Sequence, residues 1–369
     1  MRLGVLGGGQ LARMLAIAGH PLGVTCTVLD PSPHACAGPV ASLLVAAYDD
    51  PDGLDRLAAA SDVVTFEFEN PPAASAQRLA AAVEVHPPPG ALETAQDRLL
   101  EKRLFERLGI PTPGFRALDS QADVDGLETL PAVLKTRRMG YDGKGQTVAR
   151  ERGQLAGAFA ALGGVPLIAE QLVEFDRELS IVAARGRDGR TAAYPLVENE
   201  HRDGILRLTR APAGRVTSDL QRQAERAVGL IADELDYVGV LALELFQVGD
   251  RLLANEIAPR VHNSGHWTIE GAVTSQFENH LRAVLGLPLG DPAARGRCAM
   301  VNLIGEPPPT ERVLEVPGAH LHLYGKASRP GRKIGHVTVT GEDSLEGRTA
   351  RIAALAGAGR PATGRSRRF

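Results

Sequence analysis

The 369-residue sequence lacks most of the features that mark a specialised class of protein. It has only three cysteines, Cys26, Cys36 and Cys298, and their spacing is not that of metal ligands, so we expect reduced thiols. No apolar run approaches the length of a membrane span, and the N-terminal one is cut by glycine after Leu6, unlike a signal peptide. A formal charge of −3 gives no reason to expect a nucleic acid or a membrane as partner. These absences predict a soluble, cytoplasmic protein.

The first ninety residues alternate between short apolar runs and helical patterns. Strands are predicted at 2–6, 24–29, 43–46 and 62–67, and helices at 10–19, 51–60 and 72–82. Such alternation is typical of a parallel, doubly wound sheet. The three prolines of VHPPPG (85–90) end the pattern, because proline continues neither a strand nor a helix. We therefore predict an α/β domain over residues 1–90.

The rest of the chain mixes strands and helices without regular alternation, which indicates an α+β arrangement. It contains a long helical stretch at 91–109, a strand–loop–strand unit at 130–148, strands at 166–173, 178–185 and 191–199, an amphipathic helix at 218–235 and a hairpin around Gly249-Asp250. A shorter β-rich module follows from about 286 to 357. The glycine- and arginine-rich tail, 358–369, has no means of packing a core, and we expect it to be disordered.

The N-terminal sequence MRLGVLGGGQLARML contains a glycine motif at the start of the first predicted helix. Gly7-x-Gly9-x-x-Ala12 satisfies the dinucleotide pattern, and Asp30 follows at the distance of a ribose-binding acid. However, the backbone N–H groups and the helix dipole at such a turn favour any phosphate. The motif alone therefore leaves two alternatives open, a nicotinamide-dependent dehydrogenase and a protein that holds another phosphate there.

A second candidate site begins with Lys135, at the end of a predicted strand. The loop that follows is Gly140-Tyr141-Asp142-Gly143-Lys144-Gly145-Gln146, and its glycine N–H groups can approach phosphate oxygens closely. It is not a Walker motif, because no G-K-[ST] opens a helix here. We interpret it as a mobile lid over phosphates, and the alternative is an exposed hairpin turn.

Two glutamates on the predicted hairpin form a candidate metal site. Glu244 and Glu256 lie on adjacent strands, and a few carboxylates plus phosphate oxygens are the ligands that Mg²⁺ prefers. A two-residue turn at 249–250 would set Glu244 opposite Asn255 and turn Glu256 to the other face. Both acids share a face only with an odd loop, so we predict a loop such as 249–251 with a bulge. The alternative is that both are ordinary solvated glutamates.

The loop after the hairpin, APRVHNSGHWT (258–268), is unusually rich in groups that bind anions. Arg260, His262, Asn263, Ser264 and His266 lie within seven residues. Histidine and asparagine are common in turns, but this density of polar side chains favours a binding site.

Six motifs that follow one another along the chain resemble one enzyme family. They are GGGQLARM, TFEFEN, GYDGKGQ, YPLVENEHRDGIL, NEIAPRVHNSGHWT and GRKIGH, and they extend from residue 1 to about 340. With Lys135, Glu178 and the Glu244…Asn255-Glu256 pair, they resemble the ATP-grasp ligases and, among these, the 5-(carboxyamino)imidazole ribonucleotide synthetases. The resemblance implies a Rossmann-like N-terminal domain (1–90), an ATP-grasp domain (91–285, with a lid subdomain at about 113–175) and a small β-rich C-terminal module (286–357).

The family's site residues can be transferred to matching positions. The resemblance implies ATP binding by Arg98, Lys135, Gly140, Tyr141, Asp142, Gly143, Lys144, Gly145, Gln146, Glu170, Gln171, Leu172, Val173, Glu178, His201, Asn255 and Glu256, and metal binding by Glu244 and Glu256. It implies contacts to ribonucleotide and bicarbonate from Gly8, Gly9, Gln10, Leu11, Glu67, Tyr141, Arg260, His262, Asn263, Ser264, Lys326 and Arg332. Asp142, Arg260, His262 and Lys326 are the catalytic candidates, with Asp142 as proton acceptor. The ribonucleotide phosphate is expected at the helix N-terminus beside the glycine turn.

The resemblance also implies a reaction. ATP would activate bicarbonate as carboxyphosphate, and the exocyclic amine of 5-aminoimidazole ribonucleotide would be carboxylated, giving ADP and phosphate, in de novo purine biosynthesis. It implies Mg²⁺ (two ions, with Mn²⁺ as a substitute) and a homodimer. The alternatives are another ATP-grasp ligase, such as a formate-dependent ribonucleotide transformylase, a dehydrogenase, and a nucleotide-sensing module without catalysis.

Overall fold

The N-terminal part of the chain is a parallel sheet with helices packed against it. The computed structural model describes residues 1–140, 144–341 and 343–357. The strands are β1 (Arg2–Leu6), β2 (Thr25–Asp30), β3 (Ser42–Val45), β4 (Val63–Phe66) and β5 (Glu84–Val85), in the order β3-β2-β1-β4-β5. The helices are α1 (Gln10–Gly19), α2 (Pro51–Ala59), α3 (Ala73–Ala82) and α4 (Pro89–Gln96). The predicted strands and helices are confirmed to within one or two residues.

The predicted helix at 91–109 is wrong in one respect, because it is two helices. Helix α4 ends at Gln96, and α5 (Arg98–Arg107) begins after Asp97, whose extended backbone breaks the run. The Asp97 carboxylate accepts a hydrogen bond from the Leu99 N–H and so caps α5. The break turns the first residue of α5, Arg98, toward the neighbouring sheets.

A small antiparallel sheet follows α5. It contains β6 (Phe115–Leu118), β7 (Ala132–Thr136), β8 (Gln146–Ala149) and β9 (Leu167–Gln171), in the order β6-β9-β7-β8, with the short helices α6 (Gln121–Asp125) and α7 (Ala158–Ala161). Strands β7 and β8 are joined by the glycine-rich loop, so Lys135 at the end of β7 pairs with Gln146 at the start of β8.

The largest sheet contains the rest of the strands. They are β10 (Arg177–Arg185), β11 (Thr191–Ala193), β12 (Val197–Arg202), β13 (Ile205–Ala211), β14 (Gly239–Val248), β15 (Arg251–Ala258), β16 (Cys298–Ile304), β17 (Ala319–Leu323) and β18 (Lys333–Thr340). Their order is β15-β14-β10-β12-β13-β16-β18-β17, with β11 paired to β10. The β-rich module therefore extends this sheet, through the pairing of β13 with β16. The predicted strand at 191–199 is two strands, β11 and β12, separated at Tyr194–Leu196.

Helices cover this sheet and connect it to the N-terminal one. They are α8 (Ser218–Glu234), α9 (Thr268–Gly271), α10 (Gln276–Val284), α11 (Thr310–Leu314) and α12 (Leu345–Leu355). A shared apolar core joins Leu15 of α1 to Phe277 and Leu281 of α10, all nearly inaccessible to water. Because burial of such side chains stabilises each by about 1.5–3 kcal/mol, this core fixes the glycine turn relative to the large sheet.

Two expectations from the sequence bear on the class of protein. Cys26, Cys36 and Cys298 are buried free thiols, as predicted. Among the described residues, no helix has the length and apolar character needed to cross a bilayer.

Candidate active site

A cleft of about 2520 Å³ is lined by residues of the two antiparallel sheets and by residues that follow strands β1 and β4 of the N-terminal sheet. Of the predicted residues, its lining includes Gln10, Leu11, Glu67, Arg98, Lys135, Gly140, Gln146, Glu170, Gln171, Leu172, Val173, Glu178, His201, Glu244, Asn255, Glu256, Arg260, His262 and Asn263. Gly8, Gly9, Lys144, Gly145, Ser264, Lys326 and Arg332 are not part of the lining. Tyr141, Asp142, Gly143 and the tail 358–369 lie outside the described residues. A single small-molecule site usually occupies about 300–1,000 Å³, so this cleft has room for a nucleotide and a second substrate.

The two glutamates of the hairpin face each other across adjacent strands. The turn has two residues, because Val248 pairs with Arg251, so the predicted odd loop is wrong. The register instead shifts within the strands: Glu244 is opposite Glu256, whereas Leu245 is opposite Ala254, so Asn255 is an extra residue in a β-bulge. The bulge returns Glu256 to the face of Glu244, which is the arrangement that the odd loop was meant to provide.

Helix α5 binds the backbone of this bulge. The ammonium group of Lys102, which is fully buried, donates to the carbonyl oxygens of Asn255 at 2.7 Å and Ala254 at 3.3 Å. The neighbouring Glu101 carboxylate accepts a hydrogen bond from the Ile257 N–H at 2.5 Å. Burial raises the pKa of Glu101 to about 8. A bulge removes regular ladder partners, and these two side chains supply replacements on both sides of Glu256.

The two facing carboxylates have opposite electrostatic surroundings. Burial and the Glu244 charge raise the pKa of Glu256. Burial alone would also raise that of Glu244, but the hydrogen bond from His262 and the charges of His201 and Lys333 hold its pKa at about 2. Two like charges on one face repel each other, so the pair favours a cation between them.

Cationic side chains line the cleft beside these acids. Lys135 donates to Glu170 at 2.9 Å, and Lys102 lies 3.6 Å from the same oxygen. Against the effect of burial, these two ammonium groups lower the pKa of Glu170. A guanidinium nitrogen of Arg98 lies 3.7 Å from Glu256, and a Cβ on Gly140 would lie 3.2 Å from the same group. The described end of the glycine loop therefore lies against Arg98.

At one end of the cleft, aromatic and apolar groups meet a charged pair. Glu178 and His201 are joined by a hydrogen bond of 2.5 Å. Phe175 and Phe246 stack with ring centroids 4.7 Å apart, and both line the cleft. Phe246 was missed from the sequence, although the two-residue period of a strand places it on the same face as Glu244.

The glycine turn is occupied by carboxylates of the protein itself. Glu67 accepts hydrogen bonds from the N–H groups of Gly9 at 2.8 Å, Leu11 at 3.2 Å and Ala12 at 3.4 Å. A Cβ on Gly9 would lie 2.2 Å from this carboxylate, so the close approach of Glu67 favours glycine here. The expectation that a phosphate binds at this helix N-terminus is therefore wrong, because a carboxylate already occupies the position.

Asp30 is also occupied by partners within the protein. It accepts hydrogen bonds from the Gly8 N–H at 2.9 Å and from the Tyr48 hydroxyl at 2.9 Å, and it is buried. It is therefore not placed to bind the ribose of a dinucleotide, as a dehydrogenase would require.

Another group of cations lies near this turn. The Lys326 ammonium donates to the side-chain oxygen of Gln10, and Lys333 of the GRKIGH motif lines the cleft. Burial lowers the pKa of Lys326. Arg332 donates to the Ala327 carbonyl at 3.1 Å.

The loop after the hairpin contributes three side chains to the cleft. Arg260 pairs with Glu69 at 2.6 Å, and His262 Nε2 lies 3.2 Å from Glu244 Oε1. Asn263 also lines the cleft, but Ser264 is fully buried and its hydroxyl bonds to His262 Nδ1 at 2.8 Å. The predicted contact of the Ser264 side chain with substrate is therefore wrong.

Four buried side-chain atoms of the lining have no hydrogen-bond partner within the described part of the chain. They are Glu170 Oε1, Arg207 Nε, Asn255 Oδ1 and Asn263 Nδ2. Buried polar atoms without a partner are costly, so these atoms fit contacts to a ligand. Across the described ranges, no group of three or more His, Cys, Asp or Glu side chains is arranged to hold a metal ion.

Three family models match successive parts of the chain. They are the ribonucleotide synthetase preATP-grasp domain at residues 1–96, the ATP-grasp domain at 103–277 and the phosphoribosylaminoimidazole carboxylase C-terminal domain at 298–349. The N5-carboxyaminoimidazole ribonucleotide synthase of Pseudomonas aeruginosa is 54% identical over 96% of this chain and 99% of its own length. The enzyme of the same name from Brucella melitensis is 48% identical over 91% and 95%.

Solved structures agree with these matches. The N5-carboxyaminoimidazole ribonucleotide synthetase of Thermus thermophilus has a TM-score of 0.92 and 57% identity, covering 96% of this chain and 98% of that one. The synthase of Aspergillus clavatus, solved with ADP and 5-aminoimidazole ribonucleotide, has a TM-score of 0.89 and 32% identity, covering 97% and 98%.

Proposed function

The chain belongs to the N5-carboxyaminoimidazole ribonucleotide synthases, ATP-dependent ligases of purine biosynthesis with an ATP-grasp domain, and from this premise we propose how its residues divide the work. The reaction carboxylates the exocyclic amine of 5-aminoimidazole ribonucleotide with bicarbonate. We propose that ATP first converts bicarbonate to carboxyphosphate, with release of ADP. The observation that carries the proposal is the bulge that turns Glu256 toward Glu244, in the same cleft as Lys135, Arg98 and Glu67.

ATP is proposed to lie along strand β9 and the segment that follows it. Its adenine would pack between Leu172, Val173 and the Phe175–Phe246 pair, because apolar and aromatic faces suit a purine ring. The Glu178 carboxylate, held by His201, would accept hydrogen bonds from the ribose hydroxyls. The triphosphate would then extend toward Lys135 and Arg98, under the loop 140–146.

Mg²⁺ fits the donor set that this chain offers. Glu244, Glu256 and the unpartnered Oδ1 of Asn255 supply oxygens, which Mg²⁺ prefers, and phosphate oxygens would complete its coordination. We propose two Mg²⁺ ions, replaceable by Mn²⁺. When bound, the metal ions would neutralise the negative charge on the phosphate oxygens.

The chain's own groups would do the rest of the phosphoryl transfer. Lys135 and the N–H groups of the loop would stabilise the negative charge that develops on the transferred group. Arg260 would orient bicarbonate, and His262, whose Nε2 lies 3.2 Å from Glu244, would line the same site. Carboxyphosphate hydrolyses in open water, so the loop must exclude solvent. Asp142, the proposed proton acceptor, lies outside the described residues.

The ribonucleotide is proposed to bind with its phosphate at Lys326, Arg332 and Lys333 and not at the glycine turn. Glu67 already occupies that turn, and Gln10 contacts Lys326. Two inferences rest on family membership alone, namely that the chain forms a homodimer and that it is cytoplasmic.

Lys326→Met is expected to raise the KM for the ribonucleotide about tenfold or more and to leave the KM for ATP unchanged, because one charge-assisted contact to phosphate is lost. Steady-state kinetics with each substrate varied in turn measures both values. Arg329→Met, on an exposed residue of the same loop, is the control. Equal effects of the two variants on the ribonucleotide KM would contradict this placement.

The reaction itself is tested by phosphate release from ATP. We expect rapid release only when 5-aminoimidazole ribonucleotide and bicarbonate are both present, and near-background release when bicarbonate is stripped from the buffer. A formate-dependent transformylase would instead release phosphate when formate replaces bicarbonate. Release that is indifferent to bicarbonate contradicts the proposed function.

A further inference from the structure

A row of polar residues crosses the large sheet behind the carboxylates of Glu244 and Glu256. Strand register places Glu256 opposite Glu244, Glu244 opposite Ser180, and Asn199 opposite Thr209. Ser180 and Asn199 share a face, because Asn199 is opposite Glu178 and Glu178 is two residues before Ser180. Ser180, Asn199 and Thr209 are all buried, in a sheet interior where apolar residues would cost less to bury.

The side chains of this row form a continuous chain of hydrogen bonds that leads to Glu244. The Thr209 hydroxyl donates to Asn199 Oδ1 at 2.9 Å, Asn199 Nδ2 donates to Ser180 Oγ at 2.8 Å, and the Ser180 hydroxyl donates to Ser264 Oγ at 2.8 Å. Ser264 Oγ lies 2.8 Å from His262 Nδ1, and His262 Nε2 lies 3.2 Å from Glu244 Oε1.

The direction of this chain is fixed at the end nearest the cleft. The backbone N–H of Ser264 points to His262 Nδ1 at 3.3 Å, and a backbone N–H can only donate. Nδ1 is therefore an acceptor for both the N–H and the hydroxyl of Ser264. The proton of the neutral ring must then be on Nε2, where it donates to the Glu244 carboxylate.

The backbone of His262 is also held in place. Its N–H donates to Gln276 Oε1 at 3.0 Å, and Gln276 Nε2 donates to its carbonyl oxygen at 2.7 Å. The ring is thus fixed by its backbone and by Ser264. The opposite tautomer would point the lone pair of Nε2 at the Glu244 carboxylate. It would therefore have fewer suitable hydrogen-bond partners in this arrangement.

We propose that Ser264 is a positioning residue that, with Ser180 and Asn199 behind it, holds His262 as the Nε2–H tautomer and thereby orients the Glu244 carboxylate. Only the use of Glu244 as a metal ligand rests on the proposed function. One oxygen of Glu244 is directed to the imidazole N–H, so the other is presented to the cation. Ser264 acts through His262 and does not touch a substrate.

The tautomer is tested in the free protein by ¹⁵N NMR of labelled histidine side chains, well above the ordinary imidazole pKa of about 6.5. The His262 signals are identified by their loss in His262→Gln. We expect Nε2 to be protonated and Nδ1 to be bare in the native protein. Ser264→Ala keeps the backbone N–H and loses only the hydroxyl bond, so we expect the same tautomer with the Nδ1 signal shifted toward that of a nitrogen that accepts fewer hydrogen bonds. A native His262 protonated on Nδ1, or an unchanged Nδ1 signal in Ser264→Ala, overturns the proposal.

Kinetics separates positioning from a general loss of structure. Ser264→Ala and Ser180→Ala are expected to lower kcat about tenfold, with little change in the KM for the ribonucleotide, since a hydrogen bond of ordinary strength is lost. Mn²⁺ binding, followed by electron paramagnetic resonance, should weaken in parallel. The control is Thr338→Val, which removes another buried hydroxyl of the same sheet. An equal loss in the control overturns the proposal. An inactive native enzyme with the expected tautomer would count against the proposed function alone.

Discussion

Glu256→Gln is expected to lower kcat roughly a thousandfold while leaving the protein folded, because several kcal/mol of charge stabilisation on the phosphoryl group is lost. The substitution keeps the size and the polar oxygen of the side chain and removes only its charge. Glu256 tolerates this change structurally, because its partners are Arg98 at 3.7 Å and the opposed Glu244, and not a buried hydrogen-bond network. Glu244→Gln should lower kcat similarly, but it also alters the bond with His262.

The measurement is ADP formation under saturating substrates, together with Mn²⁺ titration in the presence of ATP. Asp250→Asn, at the exposed turn of the same hairpin, removes an equal charge far from the bulge and should leave kcat within twofold. A nucleotide-sensing module would give unchanged binding of its ligand in Glu256→Gln. If Glu256→Gln turns over at the native rate, the carboxylate pair does not hold the catalytic metal.

The sequence predicts the helices and strands of this fold well where the apolar residues of an element repeat on one face. Strand β1 and helix α1 lie at 2–6 and 10–19, as predicted, since their apolar residues repeat with the period of each element. The helix break at Asp97 was missed because the apolar pattern continues through it. An aspartate before RLLE is a known helix-start signal and could have located the break.

Local patterns failed where a residue's partner is distant in sequence. The glycine turn resembles a phosphate site, yet its N–H groups bind Glu67, 58 residues from Gly9. Glu244 and Glu256 share a face, as predicted. However, a bulge within the strand places them so, and not the loop. A bulge has no sequence signature as strong as that of a turn, so side-chain direction after one cannot be read from spacing.

Ser264 illustrates the same limit within the site. Its loop is dense in polar groups, and a binding role for every one of them was the natural interpretation. The structure divides them, because His262 and Asn263 line the cleft whereas Ser264 bonds to the ring of His262 from behind. His262 and Ser264 are two residues apart in sequence, but they differ in role because Ser264 also bonds to Ser180, which lies on strand β10 behind the cleft.

Lys102→Met is expected to destabilise the fold by about 3 kcal/mol or more and to lower kcat as well. Methionine keeps the length of the side chain, so the loss is electrostatic. The carbonyls of Ala254 and Asn255 lose a buried donor, and Glu170 loses one of its two cations. Removing one partner of a buried charge pair typically costs about 3–5 kcal/mol, because the remaining charge stays buried.

The expected result in a thermal scan is a fall of several degrees in the unfolding midpoint, checked against urea denaturation. The matched control is Arg103→Met, the next residue of α5, which is exposed and should change stability by less than about 0.5 kcal/mol. Because Lys102 binds the backbone of the bulge, saturating Mg²⁺ should not restore the native kcat, whereas it should do so if the lysine only balanced charge in the cleft. Full rescue by Mg²⁺, with an unchanged midpoint, would show that the bulge keeps its register without α5.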